Sequence, residues 1–350
     1  MTSAAKVLVH TSQFPEKVRR DLLESLRARQ VNHKFHYDSV KQTQKWLALH
    51  QKYSPTRNDA DCRAICEKGF KAAAQIKAKS VHVIGLGCGG GQKDTRLLKL
   101  LKKAGRDIFY TPCDVSTAMV LTARRTALAV LPEKNCFPFV CDLATADDLD
   151  DALEQMVGPR CRAALDDPQV VPTVSTRIVT FFGMIPNFEP EIILPKLASL
   201  IRPKDFLLFS ANLAPGRNYA AGMKKILPQY DNPLTHDWLM TFLLDLGVGS
   251  NDGKLLFEVG NRPSGNDLKR IVARFHFKRP CRIEIESEKF RFRPGDAIQL
   301  FFSYRYTSER VHKVLARFGL EVCEQWIAKS EEEGVFLCRN SEGRALGVPD

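Results

Sequence analysis

The apolar positions of this chain follow two periods, and their alternation along the sequence predicts an α/β protein. Residues 14–32 and 59–78 carry charged positions around an apolar stripe and predict helices. Directly after the second of these, V-H-V-I at 81–84 reads as a buried strand. It runs into Gly85, Gly87, Gly89, Gly90 and Gly91, after which Leu97, Leu98, Leu100 and Leu101 recur on one helical face. Strand, glycine turn and helix therefore follow one another without a break. Asp107–Thr111, Phe137–Cys141, Ile178–Phe182 and Phe206–Ala211 read as further strands. A helix separates the last two and ends near I-R-P-K-D, where Pro203 and Asp205 make a turn. Leu320–Ile327 and Val335–Arg339 flank S-E-E-E-G as a terminal hairpin. Residues from about 213 to 297 break the alternation, with a helical run and strand-like stretches around Arg274–Phe292.

The glycine run lets the backbone approach a ligand closely, and the helix behind it offers free N–H groups to an anionic group. Alone it does not separate a dinucleotide from another nucleoside cofactor. Two acidic residues narrow the choice: Asp114 follows the second strand and Asp142 ends the third. The first suits ribose hydroxyls and the second an adenine amino group. Either aspartate alone would be an ordinary helix cap. Gln92 stands where a dinucleotide fingerprint wants its third glycine. Glycine loop, Asp114 and Asp142 in this order resemble the class I S-adenosylmethionine-dependent methyltransferases. The expected fold is thus α/β, a Rossmann-like class I methyltransferase sheet with an inserted α+β substrate-binding domain. Residues 1–58 with 213–297 are expected to form that domain, and 59–212 with 298–350 the cofactor-binding catalytic domain.

Composition changes this picture little. The 350 residues are 44% hydrophobic, enough for two domains or one elaborated domain with a real core. No apolar stretch is long enough to span a membrane, and the N-terminus lacks a signal peptide's apolar region. The ten cysteines form no paired framework, and neither Cys62-x3-Cys66 nor Cys136-x4-Cys141 has a zinc spacing. Reduced thiols in a cytoplasmic protein, with no metal, are the expectation. The net charge of +12 raises nucleic acid as a partner. One basic run, Lys93 to Arg106, fits a solvated helix face opposite the leucines. A second, Lys269 to Arg282, alternates with Phe275 and Phe277 as a half-buried strand would. A methyltransferase of nucleic acid or another macromolecule stays the alternative to a small-molecule enzyme, and a non-catalytic cofactor-binding protein is a third reading.

Several motifs converge from about residue 35 to 339. Y-D-S-V at 37–40, Y-S-P-T-R at 53–57, the glycine loop and T-P-C-D-V-S at 111–116 stand in register. So do G-M-I-P-N-F at 183–188, Q-Y-D-N at 229–232 and F-S-Y-R-Y at 302–306. Together they resemble the histidine-specific methyltransferase family, which includes the ergothioneine-pathway histidine Nα-methyltransferase and the dimethylallyltryptophan N-methyltransferase. The resemblance implies S-adenosyl-L-methionine as methyl donor and an amino acid or related amine held between two domains. It implies that Asn187 and Tyr230 hold the carboxylate and amine end of the substrate, with Tyr37 and Tyr53 lining the pocket. Gly87, Cys88, Gly89, Lys93, Asp114 and Asp142 would hold the cofactor, and Ser303 would touch the substrate side chain. One position departs: where the histidine enzymes place a glutamate two residues before that serine, this chain has Phe301. Phenylalanine accepts no hydrogen bond from an imidazole. Histidine itself is therefore in doubt as the acceptor, and an apolar or aromatic side chain fits better.

Overall fold

A computed structural model describes residues 6–155, 176–263, 265 and 268–341; the ends of the two expected domains, 1–5 and 342–350, lie outside them. In chain order the strands are β1 (Leu8–Val9), β2 (Ser80–Leu86), β3 (Asp107–Asp114), β4 (Phe139–Val140), β5 (Thr176–Phe182) and β6 (Phe206–Asn212). After them come β7 (Gly253–Asn261), β8 (Lys269–Phe277), β9 (Cys281–Ile285), β10 (Glu288–Phe292), β11 (Ala297–Arg305), β12 (Leu320–Ile327) and β13 (Glu333–Asn340).

Eight strands form one sheet in the order β1-β4-β3-β2-β5-β6-β13-β12. All pairs from β1 to β6 are parallel, while β13 runs antiparallel to both β6 and β12. A parallel sheet closed by an antiparallel terminal hairpin is the class I methyltransferase arrangement expected above. The sheet is covered on both faces, which is why its strands read as nearly continuous apolar runs. On β2, Val81 and Val83 pack with Leu97, Leu98 and Leu101 on one face, while Ile84 and Leu86 pack on the other with Leu194 and Leu197. The topology reverses between β2 and its neighbours β3 and β5, so a crevice opens at the carboxyl ends of these strands.

A smaller antiparallel sheet, β11-β8-β7, carries a third core. Phe275, Phe277, Ile298 and Phe301 pack there against Leu26 from the helix Pro15–Arg27 and against Trp238 and Phe242 from the helix Pro233–Asp245. The two sheets are joined where Glu189 accepts from Arg270 at 3.0 Å and from the Tyr304 hydroxyl at 2.6 Å. Strand pairing puts β1 in the large sheet and β11 in the small one. The expected division puts these segments with the opposite units, because two-residue β1 carries no periodicity and β11 alternates as either sheet would require. The segment Val31–Arg57, a mix of polar and aromatic residues, carries no predicted element. It contains the helix Val40–Tyr53, opened by a capping box in which Ser39 and Gln42 satisfy each other's backbone N–H groups.

Candidate active site

The site is built at the carboxyl ends of β2, β3 and β5. β2 ends in the glycine loop, and Gly91 caps the helix Gln92–Lys103 with φ 73°. Gly87 has φ 57°, and a Cβ there would lie 2.7 Å from Cγ of Met184, so only glycine fits. The loop is tied to β3 by its backbone: Cys88 N–H donates to the Cys113 carbonyl at 3.0 Å, and Gly89 N–H to Asp114 Oδ2 at 3.0 Å. The second Asp114 oxygen accepts from Ser116 N–H at 3.0 Å. Burial raises the Asp114 carboxyl to about 6 from its ordinary 3.8, and the backbone N–H groups pull the other way.

Asp142 is buried beyond β4, and its carboxylate is occupied locally. It accepts from Ala144 N–H at 3.0 Å and from the Thr145 hydroxyl at 2.9 Å, and lies 3.4 Å from the buried Lys34 ammonium. Its own N–H donates to Ser12 Oγ at 3.0 Å. Lys34 pairs in turn with Asp21. Beneath the loop, Asp94 accepts from Tyr110 and Thr180 hydroxyls, both at 2.7 Å, and burial raises it to about 6.

Two cavities meet over the glycine loop. The smaller, about 460 Å³, is walled by Lys34, Asp114, Met119, Asp142 and Phe302 among others. The larger, about 1130 Å³, reaches from Cys88 and Lys93 past Tyr53 to Tyr230, Phe301 and Ser303. Six residues line both: Tyr37, Trp46, Gly87, Gly89, Met184 and Asn187. Lys93, which the resemblance assigned to the cofactor, borders the larger cavity, with its ammonium 5.3 Å from the Phe182 ring. Tyr53 is 43% exposed at the end of its helix, so it borders the mouth.

The smaller sheet supplies the far wall. Pairing between β11 and β8 slips between Gln299 and Phe301, leaving Leu300 as an extra residue. From that bulge onward Phe301 and Ser303 line the larger cavity, while Phe302 lines the smaller one. Phe301 sits among the rings of His33, Trp238 and Tyr230, at 5.1, 5.6 and 6.3 Å between centroids. Tyr230 donates its hydroxyl to Ser303 Oγ at 3.0 Å and accepts from Arg305 Nε at 2.9 Å. Burial and the Asp114 charge push the Tyr37 phenol up, so it stays a neutral donor at physiological pH. Burial likewise lowers His33 to about 3 and His36 to about 4, leaving both neutral. It raises the Cys88 thiol, which leaves no thiolate in the loop.

Sequence reasoning missed Trp46, Met184 and Arg305. Trp46 stacks on His50 at 4.9 Å and borders both cavities, a placement that follows from the unread helix Val40–Tyr53. Met184 and Arg305 lie inside the quoted motifs G-M-I-P-N-F and F-S-Y-R-Y, beside residues that were singled out. The second basic run is largely neutralised: Arg270 pairs with Glu189, Arg274 with Glu258, Arg279 with Asp252 and Arg282 with Glu284. Among the described residues no cluster of His, Cys, Asp and Glu has the arrangement of a metal site, and no helix is long and apolar enough to cross a membrane.

S-adenosylmethionine fits this architecture. A glycine cradle that a Cβ would fill lies beside a buried carboxylate with a raised pKa, at the crevice of an open α/β sheet. Among solved structures, the chain is similar to the CcbJ methyltransferase of Streptomyces caelestis, at 14% identity over 79% of this chain and 94% of that one, with a TM-score of 0.36. It is also similar to the sugar N-methyltransferase KedS8 of a Streptoalloteichus species, at 13% identity over 84% and 92%, with a TM-score of 0.37. A third is the magnesium protoporphyrin IX methyltransferase of Synechocystis with bound SAH, at 14% identity over 93% and 100%, also at 0.37. No curated protein matches the chain significantly. The model of the SAM-dependent histidine-specific methyltransferases matches residues 18–221 and 265–340, and the chain belongs to that family.

Proposed function

We propose that this S-adenosylmethionine-dependent methyltransferase N-methylates the amine of an amino acid or a related small molecule. The junction of the two cavities at Tyr37, Gly87, Met184 and Asn187 carries the reading, because a methyl group must pass between two ligands held end to end. The bound cofactor supplies a methyl already activated by its sulfonium charge. The chain's part is then to align the amine, keep it unprotonated and exclude water. In this reading Asn187 and Tyr37 orient the amine at the junction. Tyr230 keeps one lone pair for an amine N–H, because Arg305 fills only the other. Asp114 and the glycine loop with Cys88 and Lys93 hold the cofactor, Asp142 borders its adenine end, and Tyr53 faces the acceptor. The cofactor unit then comprises β1, 59–212 and 306–350, and the substrate unit 10–58 and 213–305.

The aromatic wall of Phe301 and Trp238 favours an apolar or aromatic side chain over histidine. The internal pairing of the second basic run supports a small acceptor over a nucleic acid. Incubation with labelled S-adenosylmethionine and a panel of amino acids and amines, read by mass spectrometry, tests the proposal. Labelled N-methyl products from aromatic amino acids are expected. Transfer to RNA or DNA with none to any amine would overturn it.

A further inference from the structure

A buried carboxylate in the larger cavity lacks the partners that such a charge requires. Glu333, the first residue of β13, is 3% exposed and borders that cavity. Val335, two positions along the strand, packs with Cys62 and Cys66, so Glu333 faces the same helix, Ala60–Ala74. Its Oε2 has no hydrogen-bond partner, and among the described residues its carboxylate forms no ion pair. Buried charges are ordinarily paired and hydrogen-bonded. Burial raises the carboxyl, and the Lys93 and Arg305 charges oppose the rise. Arg305 is engaged elsewhere, giving its Nε–H to Tyr230 at 2.9 Å and its Nη1 to the Leu213 carbonyl at 3.4 Å. Lys93 is not: its ammonium lies 5.3 Å from the Phe182 ring and, among the described residues, has no carboxylate within ion-pair distance. It is the second residue of the helix Gln92–Lys103, where free backbone N–H groups and the helix dipole also favour an anion.

One ligand chemistry satisfies both groups: an α-amino-acid zwitterion, with its carboxylate on Lys93 and its ammonium donating to Glu333. We infer that Lys93 and Glu333 form a clamp for the amino-acid tail of S-adenosylmethionine, and that Glu333 is the specificity residue for the ammonium of that tail. The two side chains stand beyond ion-pair distance, yet near enough for the Lys93 charge to act on Glu333. That separation leaves room for the carbon that carries both ligand groups. Phe70 and Phe182, edge to face at 5.6 Å, border the cavity here and keep the surroundings apolar, which strengthens both contacts. An amino-acid acceptor would present the same zwitterion. The glycine loop runs directly into Lys93, however, and this favours the cofactor's tail. The inference rests on the reading of Lys93 as a cofactor residue, and it concerns how the donor's tail is held, not which atom is methylated.

The test reads binding without turnover. Four ligands are titrated by calorimetry in the absence of any acceptor: S-adenosylhomocysteine, its analogue without the amino group, its analogue without the carboxylate, and 5′-methylthioadenosine, which has no tail. Glu333→Gln keeps the shape of the side chain and removes its charge. It should weaken S-adenosylhomocysteine about tenfold or more, as expected for a lost hydrogen bond between charged groups, and leave 5′-methylthioadenosine within about twofold. The analogue without the amino group should bind this variant as well as it binds wild type, or better, because its carboxylate no longer meets another. Lys93→Met should give the mirror image, weakening the ligands that carry the carboxylate and sparing the one that lacks it. Equal weakening of S-adenosylhomocysteine and 5′-methylthioadenosine by Glu333→Gln would make Glu333 a structural support and overturn the inference. An unchanged or tighter affinity for S-adenosylhomocysteine would make it only a counter-ion of Lys93, with the same consequence. A loss confined to amino acids binding the S-adenosylhomocysteine-saturated protein would also overturn it, by assigning the ammonium to the acceptor. If the four ligands behave as stated while no amine is ever methylated, the clamp stands and the N-methylation reading falls.

Discussion

Asp114 gives the sharpest test of the cofactor site, because its ionisation should be visible in cofactor affinity. In the free protein its carboxyl is raised from 3.8 to about 6 by burial. Ribose hydroxyls donating to it would stabilise the ionised form and return the pKa towards its ordinary value. The ligand then binds the carboxylate, so affinity rises with pH through about 6 and falls below it. Taking a bound-state value near 3.8, the free group at pH 5 is protonated about 10:1 and the bound group is almost fully ionised. S-adenosylhomocysteine should therefore bind about tenfold more weakly at pH 5 than at pH 7.5, about 1.4 kcal/mol, with close to one proton released at the lower pH. Its own amino and carboxyl groups ionise outside this window. Asp94 also titrates near 6, but its oxygens are already engaged by Tyr110 and Thr180, so it contributes alike to free and bound forms. Calorimetry in two buffers of different ionisation enthalpy measures affinity and proton release together. Asp114→Asn should weaken binding at pH 7.5 and flatten the profile. A pH-independent affinity in the wild type, or an unchanged slope in Asp114→Asn, would refute the reasoning.

Gly87→Ala forces a side chain to φ 57° against Met184 and should cost about 1–3 kcal/mol, read as a lower melting temperature and lost protection by S-adenosylhomocysteine. Trp46→Ala removes the ring that borders both cavities, so it should weaken cofactor and acceptor alike; loss of only one affinity would contradict that placement. Asn187→Ala and Tyr230→Phe should lower methyl transfer tenfold or more while the cofactor Kd, measured by calorimetry, stays within about threefold. Phe301→Glu places an unpaired carboxylate among His33, Trp238 and Tyr230 and should lower the melting temperature. In competition kinetics it should also shift preference towards histidine and away from aromatic acceptors.

The large sheet was legible because both of its faces are buried. Continuous apolar runs separated by one-sided helices leave few alternatives for β2, β3, β5 and β6. β4 was read too long: hydrogen bonding there spans Phe139–Val140, since Phe137 and Cys141 attach by single backbone contacts to Tyr110 and Asp114. The helix Val40–Tyr53 carries no clear periodic signal because Trp46 and Leu49 pack partly against the core of the smaller sheet while Val40 is 63% exposed, which blurs the apolar stripe. Its signal was present in the capping-box pair Ser39 and Gln42, which reports a helix start without regard to which face is apolar.

The chemistry of the site was legible to different depths for a related reason. A glycine with positive φ and an acid at a strand end report local backbone demands, and a sequence carries these directly. Phe301 and Ser303 report a register, which depends on one extra residue. Without the irregularity at Leu300, the side chains of β11 would exchange faces relative to β8, and Phe302 would take the place of Phe301 on the larger cavity. A family motif read as a string keeps its spacing to the serine, but not the bulge that aims it. The contact of Tyr230 with Arg305 and Ser303 is further removed still. It depends on three side chains brought together by the helix Tyr219–Tyr230 and by β11. The wall of the larger cavity is thus set by contacts that no single segment encodes, while the glycine loop and Asp114 are set within Val81–Asp114.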